Sequence, residues 1–186
     1  MITMDKAEAE RKNKARKAAM TLACIGLVVM TVLIFLVPGV VRTGSMDNGL
    51  DGCIKDGDIL LMNRMQYSEK HAPEYGDLTI FKEKDPSTGK EVNIPARVIG
   101  NDGDVIEIKG NAVYRNGKQL DEDYAIGSTR AGDKTKYTVP KESAFLLGDN
   151  REEAVDSRTV GCVSRRDLGG KIVFRILPFG EFGTIK

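Results

Sequence analysis

The chain opens on a polar, charge-rich segment, passes through one long uncharged run at 18–41, and then breaks into short apolar or alternating stretches divided by turn residues. The uncharged run would be about 36 Å long as a helix at roughly 1.5 Å per residue, and it predicts a membrane-spanning helix because a hydrocarbon core is about 30 Å thick. Lys6, Arg11, Lys12, Lys14, Arg16 and Lys17 crowd the segment before it. Loops rich in Lys and Arg stay cytoplasmic, so the N terminus is expected inside. The predicted organisation is a cytoplasmic basic tail at 1–17, a transmembrane helix at 18–41 and an extracytoplasmic domain at 42–186, in a single-pass protein of the cytoplasmic membrane. A cleavable secretory signal would have a shorter apolar region and a small-x-small site, which Val37-Pro38-Gly39-Val40-Val41-Arg42 does not offer.

Beyond Arg42 the pattern predicts a mostly β domain. Ile59 to Met62, Leu78 to Phe81, Arg97 to Ile99, Val105 to Ile108, Ser143 to Leu147 and Lys171 to Ile176 read as strands. Between Ala112 and Leu120, Asn116-Gly117 predicts a hairpin, since that pair tolerates the positive φ angles of a type I′ turn. The polar stretches Lys82 to Lys90 and Asp121 to Lys136 read as solvated loop, and no long amphipathic helix is expected after the anchor.

Composition narrows the function. A chain of 186 residues holds one anchor and one modest domain. Its net charge of +1 gives no basic field of the kind that dominates nucleic-acid binding. A single histidine and three cysteines without a CxxC pair argue against a zinc site. Cys53 and Cys162 could pair, although their spacing does not establish a disulfide.

The chemistry-bearing segment is Gly148-Asp149-Asn150-Arg151, followed by Asp156-Ser157-Arg158 and Gly161, directly after the apolar run ending at Leu147. Alone, Gly-Asp-Asn is an ordinary turn. The whole array resembles the box near the carboxyl end of bacterial type I signal peptidases, and four other boxes stand in that family's order. These are Thr43-Gly44-Ser45-Met46, Gly57-Asp58-Ile59-Leu60-Leu61, Tyr75-Gly76-Asp77-Leu78-Thr79-Ile80-Phe81, and Arg97-Val98-Ile99-Gly100 with Gly103-Asp104. The resemblance runs from the anchor to about Pro178. It implies a coiled antiparallel β-sheet domain and cleavage of signal peptides from exported pre-proteins by a serine nucleophile and a lysine base, with no cofactor. Membrane lipid is an implied partner, through apolar residues such as Met46, Leu50, Ile54 and Phe179.

Carried across, the resemblance makes Ser45 the nucleophile, with Thr43 and the Ser45 backbone N–H as oxyanion donors. Asp149, Asn150, Asp156 and Arg158 become supporting residues. The lysine should immediately precede Arg-Val-Ile-Gly, and here that position is Ala96, which has no proton-accepting group. Arg97 cannot replace it, because a guanidinium stays protonated. Ala154 stands where many relatives have a serine that hydrogen-bonds the lysine. Ser45 also lies farther from Gly57 than in relatives, so a gapless alignment would set Gly49 at the nucleophile and Leu50 at the methionine, whereas the flanking Thr-Gly favours Ser45.

Three readings follow. One is a signal peptidase whose lysine has been replaced by alanine. Another is a natural noncatalytic pseudo-peptidase, similar to pilus-assembly homologues and partnered by pilin or assembly proteins. The third is an active enzyme with a relocated base, for which His71, Lys82, Lys84 and Lys90 are poor candidates in loop-like surroundings. A chain without the base should be feeble or inert, since general-base catalysis typically contributes about 10² to 10⁴ in rate.

Overall fold

The computed structural model describes residues 2–41, 44–50, 52–68, 70–84, 88–132 and 134–185, with the side chains of the first helix described over 10–30. Two compact units result, Met1–Leu36 and Val37–Lys186. The first is a single helix, α1 (Ile2–Phe35). Its basic and apolar halves are continuous, so the tail expected at 1–17 is helical. The helix expected over 18–41 stops at Phe35, where Leu36–Val40 turns extended as β1. β-branched Val37 and Val40 and the φ-locked Pro38 favour extended backbone over helix. Among the described residues no helix is long and apolar enough to cross a membrane.

The second unit is built from antiparallel sheets. Its further strands are β2 (Ile59–Asn63), β3 (Leu78–Lys84), β4 (Glu91–Asn101), β5 (Val105–Lys109), β6 (Ala112–Arg115), β7 (Lys118–Gln119), β8 (Lys136–Thr138), β9 (Ser143–Leu147), β10 (Val163–Ser164) and β11 (Leu168–Leu177). One short helix, α2 (Ser157–Val160), lies between β9 and β10. A seven-stranded sheet has the order β1-β2-β11-β3-β4-β9-β10, and a four-stranded sheet the order β7-β6-β5-β8. The hairpin at Asn116-Gly117 forms with φ of 53° and 80°, the positive values a two-residue turn requires there.

Both faces of the large sheet are buried, which is why its central strands read as apolar runs rather than clean alternations. Leu78 and Ile80 of β3 join Val41, Met46, Ile54, Leu60, Met62 and Ile172 on one face. Phe81 packs with Ile94, Ala96, Val98, Ala144 and Leu146 on the other. A third cluster, with Ile99, Phe145 and Leu147 against Ile106 and Val113, joins the two sheets. Met46 and Ile54 are therefore core, each 2% exposed, whereas Leu50 and Phe179 are exposed. All three cysteines are free, so Cys53 and Cys162 do not form the disulfide considered above.

β4 is the strand that positions the site. Arg97 pairs with both β3 and β9, the second half from Val98 to Asn101 continues along β9, and the first half, Glu91 to Ala96, pairs only with β3. The described ladders thus leave an open edge that begins at Ala96. Proline at position 95 fits this, since a strand proline is confined to edges and bulges. β1 ends the order of the same sheet and carries its own proline, Pro38. The sheet curls enough for the Asn93 side-chain amide of β4 to donate to the Val40 carbonyl at 3.4 Å.

Candidate active site

Gly44-Ser45-Met46-Asp47 is a turn closed by the Asp47 N–H donating to the Gly44 carbonyl at 3.0 Å. It is clamped onto the loop that follows β9. The Asn150 N–H donates to the Ser45 carbonyl at 3.0 Å, and the Asp149 N–H to Met46 Sδ at 3.3 Å. Gly148 makes this approach possible. A Cβ there would stand 2.5 Å from the Ser45 carbonyl oxygen and 2.3 Å from the Ala154 Cβ, closer than such atoms can come. Ser45 is consequently buried, 2% exposed. Thr43 lies outside the described residues, as does Asp51. Gly49 and Leu50 are exposed, their N–H groups taken by Asp47 Oδ1 and Asn48 Oδ1 in local turns.

Three arginine–carboxylate pairs hold the loop in place. Arg97, beside Ala96 on β4, grips Asp149 through two bonds of 3.0 and 2.7 Å. Burial works against both charges. At Arg97 the contact with Asp149 overcomes it and holds the guanidinium pKa above its ordinary value, while at Asp149 burial prevails and pushes the carboxyl up. Asp156 is fully buried, caps α2 by accepting the Arg158 N–H, and accepts both the Gly148 N–H at 3.1 Å and the Arg158 guanidinium at 2.8 Å. Arg158 in turn donates to the Arg151 carbonyl at 2.7 Å. Arg151 closes on Glu122 through bonds of 3.0 and 2.6 Å and donates to the Gly148 carbonyl at 3.0 Å.

Glu122 and Tyr124 were missed by reading 121–136 as solvated loop. The Tyr124 ring lies under the Arg97 guanidinium at 4.1 Å, its carbonyl accepts from Asn48 at 2.7 Å, and burial pushes its phenol well up. The only sequence signal was two aromatic-acidic neighbours, Glu122 and Tyr124, inside an otherwise polar stretch.

Ala96 pairs with Thr79 across β3 and packs in the apolar cluster with Phe81, Ile94 and Val98. At 1% exposure it offers no polar atom to solvent or to a reacting group. It is connected to Ser45 through its neighbour, since Arg97 holds Asp149 and the adjacent Asn150 holds Ser45. Lys171 of β11 pairs with Thr79 and so shares this region of the sheet, but its ammonium is engaged by Asp77 at 2.6 Å. Lys82 is exposed and paired with Glu91, and His71 is exposed in a turn with Ser68. Among the described residues, no cluster of His, Cys, Asp and Glu could hold a metal ion.

Between the open edges of β1 and β4 lies a cavity of about 580 Å3, with Pro38 and Gly39 on one side, Asn93 on the other and Met62 and Ile80 at its floor. Its lining takes in Glu91 and Asn93 of β4, the latter three residues before Ala96.

A family model described as "Signal peptidase, peptidase S26" matches residues 14–177 of this chain. Signal peptidase IB of Staphylococcus aureus is 31% identical over 177 residues, covering 85% of this chain and 90% of that protein. Signal peptidase I of Bacillus caldolyticus is 31% identical over 168 residues, covering 83% and 87%. A crystal structure of a signal peptidase I from Enterococcus faecalis, 28% identical, aligns with 54% of this chain and 97% of its own at a TM-score of 0.42.

Proposed function

This chain belongs to the signal peptidase family, peptidase S26, and on that footing we propose that it is a membrane-anchored member that binds signal peptides of exported pre-proteins but lacks the base needed to cleave them efficiently. One observation carries the reading. The Ser45 turn is clamped to the Gly148–Asn150 loop at the point where β9 leaves β4, so the open edge of β4 leads straight to the serine. An extended peptide can add to such an edge through main-chain hydrogen bonds, with alternate side chains directed into pockets. The cavity beside β1 supplies the room.

In this reading Ser45 is the nucleophile, and Thr43 and the Ser45 N–H would hold the oxyanion. Asp149, Asn150, Asp156 and Arg158 position the turn. A serine hydroxyl needs a partner to take its proton as it attacks a carbonyl. A lysine buried among Phe81, Ile94 and Val98 would have its amine pKa lowered by desolvation and could serve; alanine cannot. In this reading the helical part of the uncharged run, which ends at Phe35, serves as the anchor. Met20, Leu22, Ile25, Leu27 and Val28 are all exposed on α1, and a helix apolar on every side needs an apolar surrounding.

A second reading has its own support. Ala96 and Ala154, the two positions at which relatives carry the base and its polar neighbour, are both alanine, and Ala154 is packed against Gly148. That suits a noncatalytic binding or pilus-assembly factor with an established apolar site. Equilibrium binding of a signal peptide spanning its cleavage site to the detergent-solubilised chain tests the shared claim. Saturable micromolar binding with no product is expected; turnover comparable to an active signal peptidase would refute it.

A further inference from the structure

Ser45 sits in a long loop that leaves β1 and returns to β2, and the two ends of that loop are tied together. The Val41 N–H donates to the Asp58 carbonyl at 3.0 Å, and the Gly57 N–H donates to the Val41 carbonyl at 3.1 Å. Asn150 fixes the loop at Ser45, but the stretch from there to Gly57 is longer than the family resemblance leads one to expect. Ordering that chain costs conformational entropy, so contacts must hold it.

Arg175 of β11 supplies them. It is 1% exposed, and its guanidinium reaches four groups. Nε pairs with Asp58 Oδ2 at 3.1 Å, where the loop closes, and Nη1 pairs with Glu181. Nη2 donates to two successive carbonyls inside the loop, Gly52 at 3.0 Å and Cys53. Gly52 stands at φ 83°, a conformation open to glycine, as its carbonyl turns to the arginine. From Cys53 the hold passes to the turn of Ser45 itself. The Cys53 thiol donates to Asp47 Oδ1 at 3.4 Å, and the Asp47 N–H closes that turn on the Gly44 carbonyl. A planar fork of five donors can serve two carboxylates and two carbonyls at once, whereas a lysine ammonium has three donors on one atom.

We infer that Arg175 is a positioning residue for Ser45, holding the segment from Asp47 to Ile54 in the arrangement that presents the serine to a peptide. It acts through backbone and through Cys53, not on a reacting atom, and its contacts are separate from those of the loop after β9. The inference rests on the peptide-binding reading given above and names a second anchor of the same site. A segment released from Arg175 would spend part of its time in other arrangements, and the apparent affinity for a peptide falls with the fraction that stays competent.

The test uses the full chain in neutral detergent with Cys24→Ser and Cys162→Ser, which leaves Cys53 as its single thiol. Cys53 is buried, so its rate of labelling by a disulfide reagent reports opening of the loop. Removing the arginine alone would leave Asp58 buried and unpaired, so the main variant is Arg175→Met with Asp58→Asn, which removes both charges together. Labelling, and anisotropy of a fluorescent signal peptide spanning its cleavage site, are measured below the thermal unfolding transition. In the double variant labelling should be about tenfold faster and peptide binding about tenfold weaker, with Arg175→Lys between it and the unaltered chain. Arg165→Met with Asp102→Asn removes another ion pair, of 2.7 Å, and should change neither reading. Unchanged labelling and affinity in the folded Arg175 variants overturn the inference, as does an equal change in the Arg165 pair, which would mark a general loss of stability. Should the double variant not fold, Arg175→Lys decides by the same two readings. If the unaltered chain binds no peptide, the peptide-binding reading fails by itself, and the labelling rates still decide whether Arg175 holds the Ser45 loop.

Discussion

The loop from Gly148 to Arg158 and the strand position Ala96 converge on one serine and differ completely in what they bring to it. The loop is a lattice of buried charge: Asp149 on Arg97, Asp156 on Arg158, Arg151 on Glu122, with backbone bonds carrying the result to Ser45. Ala96 brings one methyl group packed among apolar neighbours. Holding a serine in place and activating it are therefore separable in this fold. The loop's charged groups pair with one another and not with position 96, so on the proposed reading the scaffold stands whether or not a base is present there.

The largest effect should come from breaking the lattice. Asp156→Ala leaves the Arg158 guanidinium and the Gly148 N–H buried without their acceptor, and about 3–5 kcal/mol of unfolding free energy should be lost in urea denaturation. A loss below about 1 kcal/mol would mean the loop is not the support described. Gly148→Ala is the next strongest probe, because its Cβ collides with backbone at Ser45 and with Ala154. It should cost about 1–3 kcal/mol and lower signal-peptide binding at the same time. Stability and binding that both stay at their starting values would uncouple Ser45 from the loop.

Acid sharpens the comparison by separating scaffold from fold. Asp104, in the turn before β5, is pushed up by burial but held below the usual carboxylate range by the Asn101 N–H, Asn116 and Arg115. A depressed carboxyl contributes stability that is full above its unfolded value, about 4, and is lost as pH falls through the lower folded value. Asp104→Asn should therefore flatten the acid limb of the stability profile below about pH 4 and leave peptide binding near neutral pH unchanged. The smallest change is expected at Leu50. If Ser45 rather than Gly49 is the nucleophile position, Leu50→Ser alters an exposed side chain and stability stays within about 0.5 kcal/mol.

Local signals in the sequence were legible where local physics decides. Asn116-Gly117 specified its turn, and the apolar runs marked β2, β3, β5 and β9 to within a few residues. The open half of β4 was missed although Val92, Ile94 and Ala96 alternate toward one apolar cluster, because Glu91, Asn93 and Pro95 between them argue against a strand. β1 was hidden inside the uncharged run, where apolar strand and apolar helix have the same composition. At the site, the alanine at position 96, where the resemblance puts a lysine, could be seen from the neighbouring motif alone. The clasp of Tyr124 and Glu122 on Arg97 and Arg151 could not, since those contacts join residues far apart in the chain and made the loop look merely polar.

The most direct test of the account is cleavage of a pre-protein in liposomes by three forms: the chain itself, Ala96→Lys, and Ala96→Lys with Ser45→Ala. An intact scaffold lacking only its base predicts negligible cleavage by the first, a gain of about 10²-fold or more in the second, and its loss in the third. Cleavage by the unaltered chain at the rate of the lysine form, or inert but folded protein in all three, would contradict it.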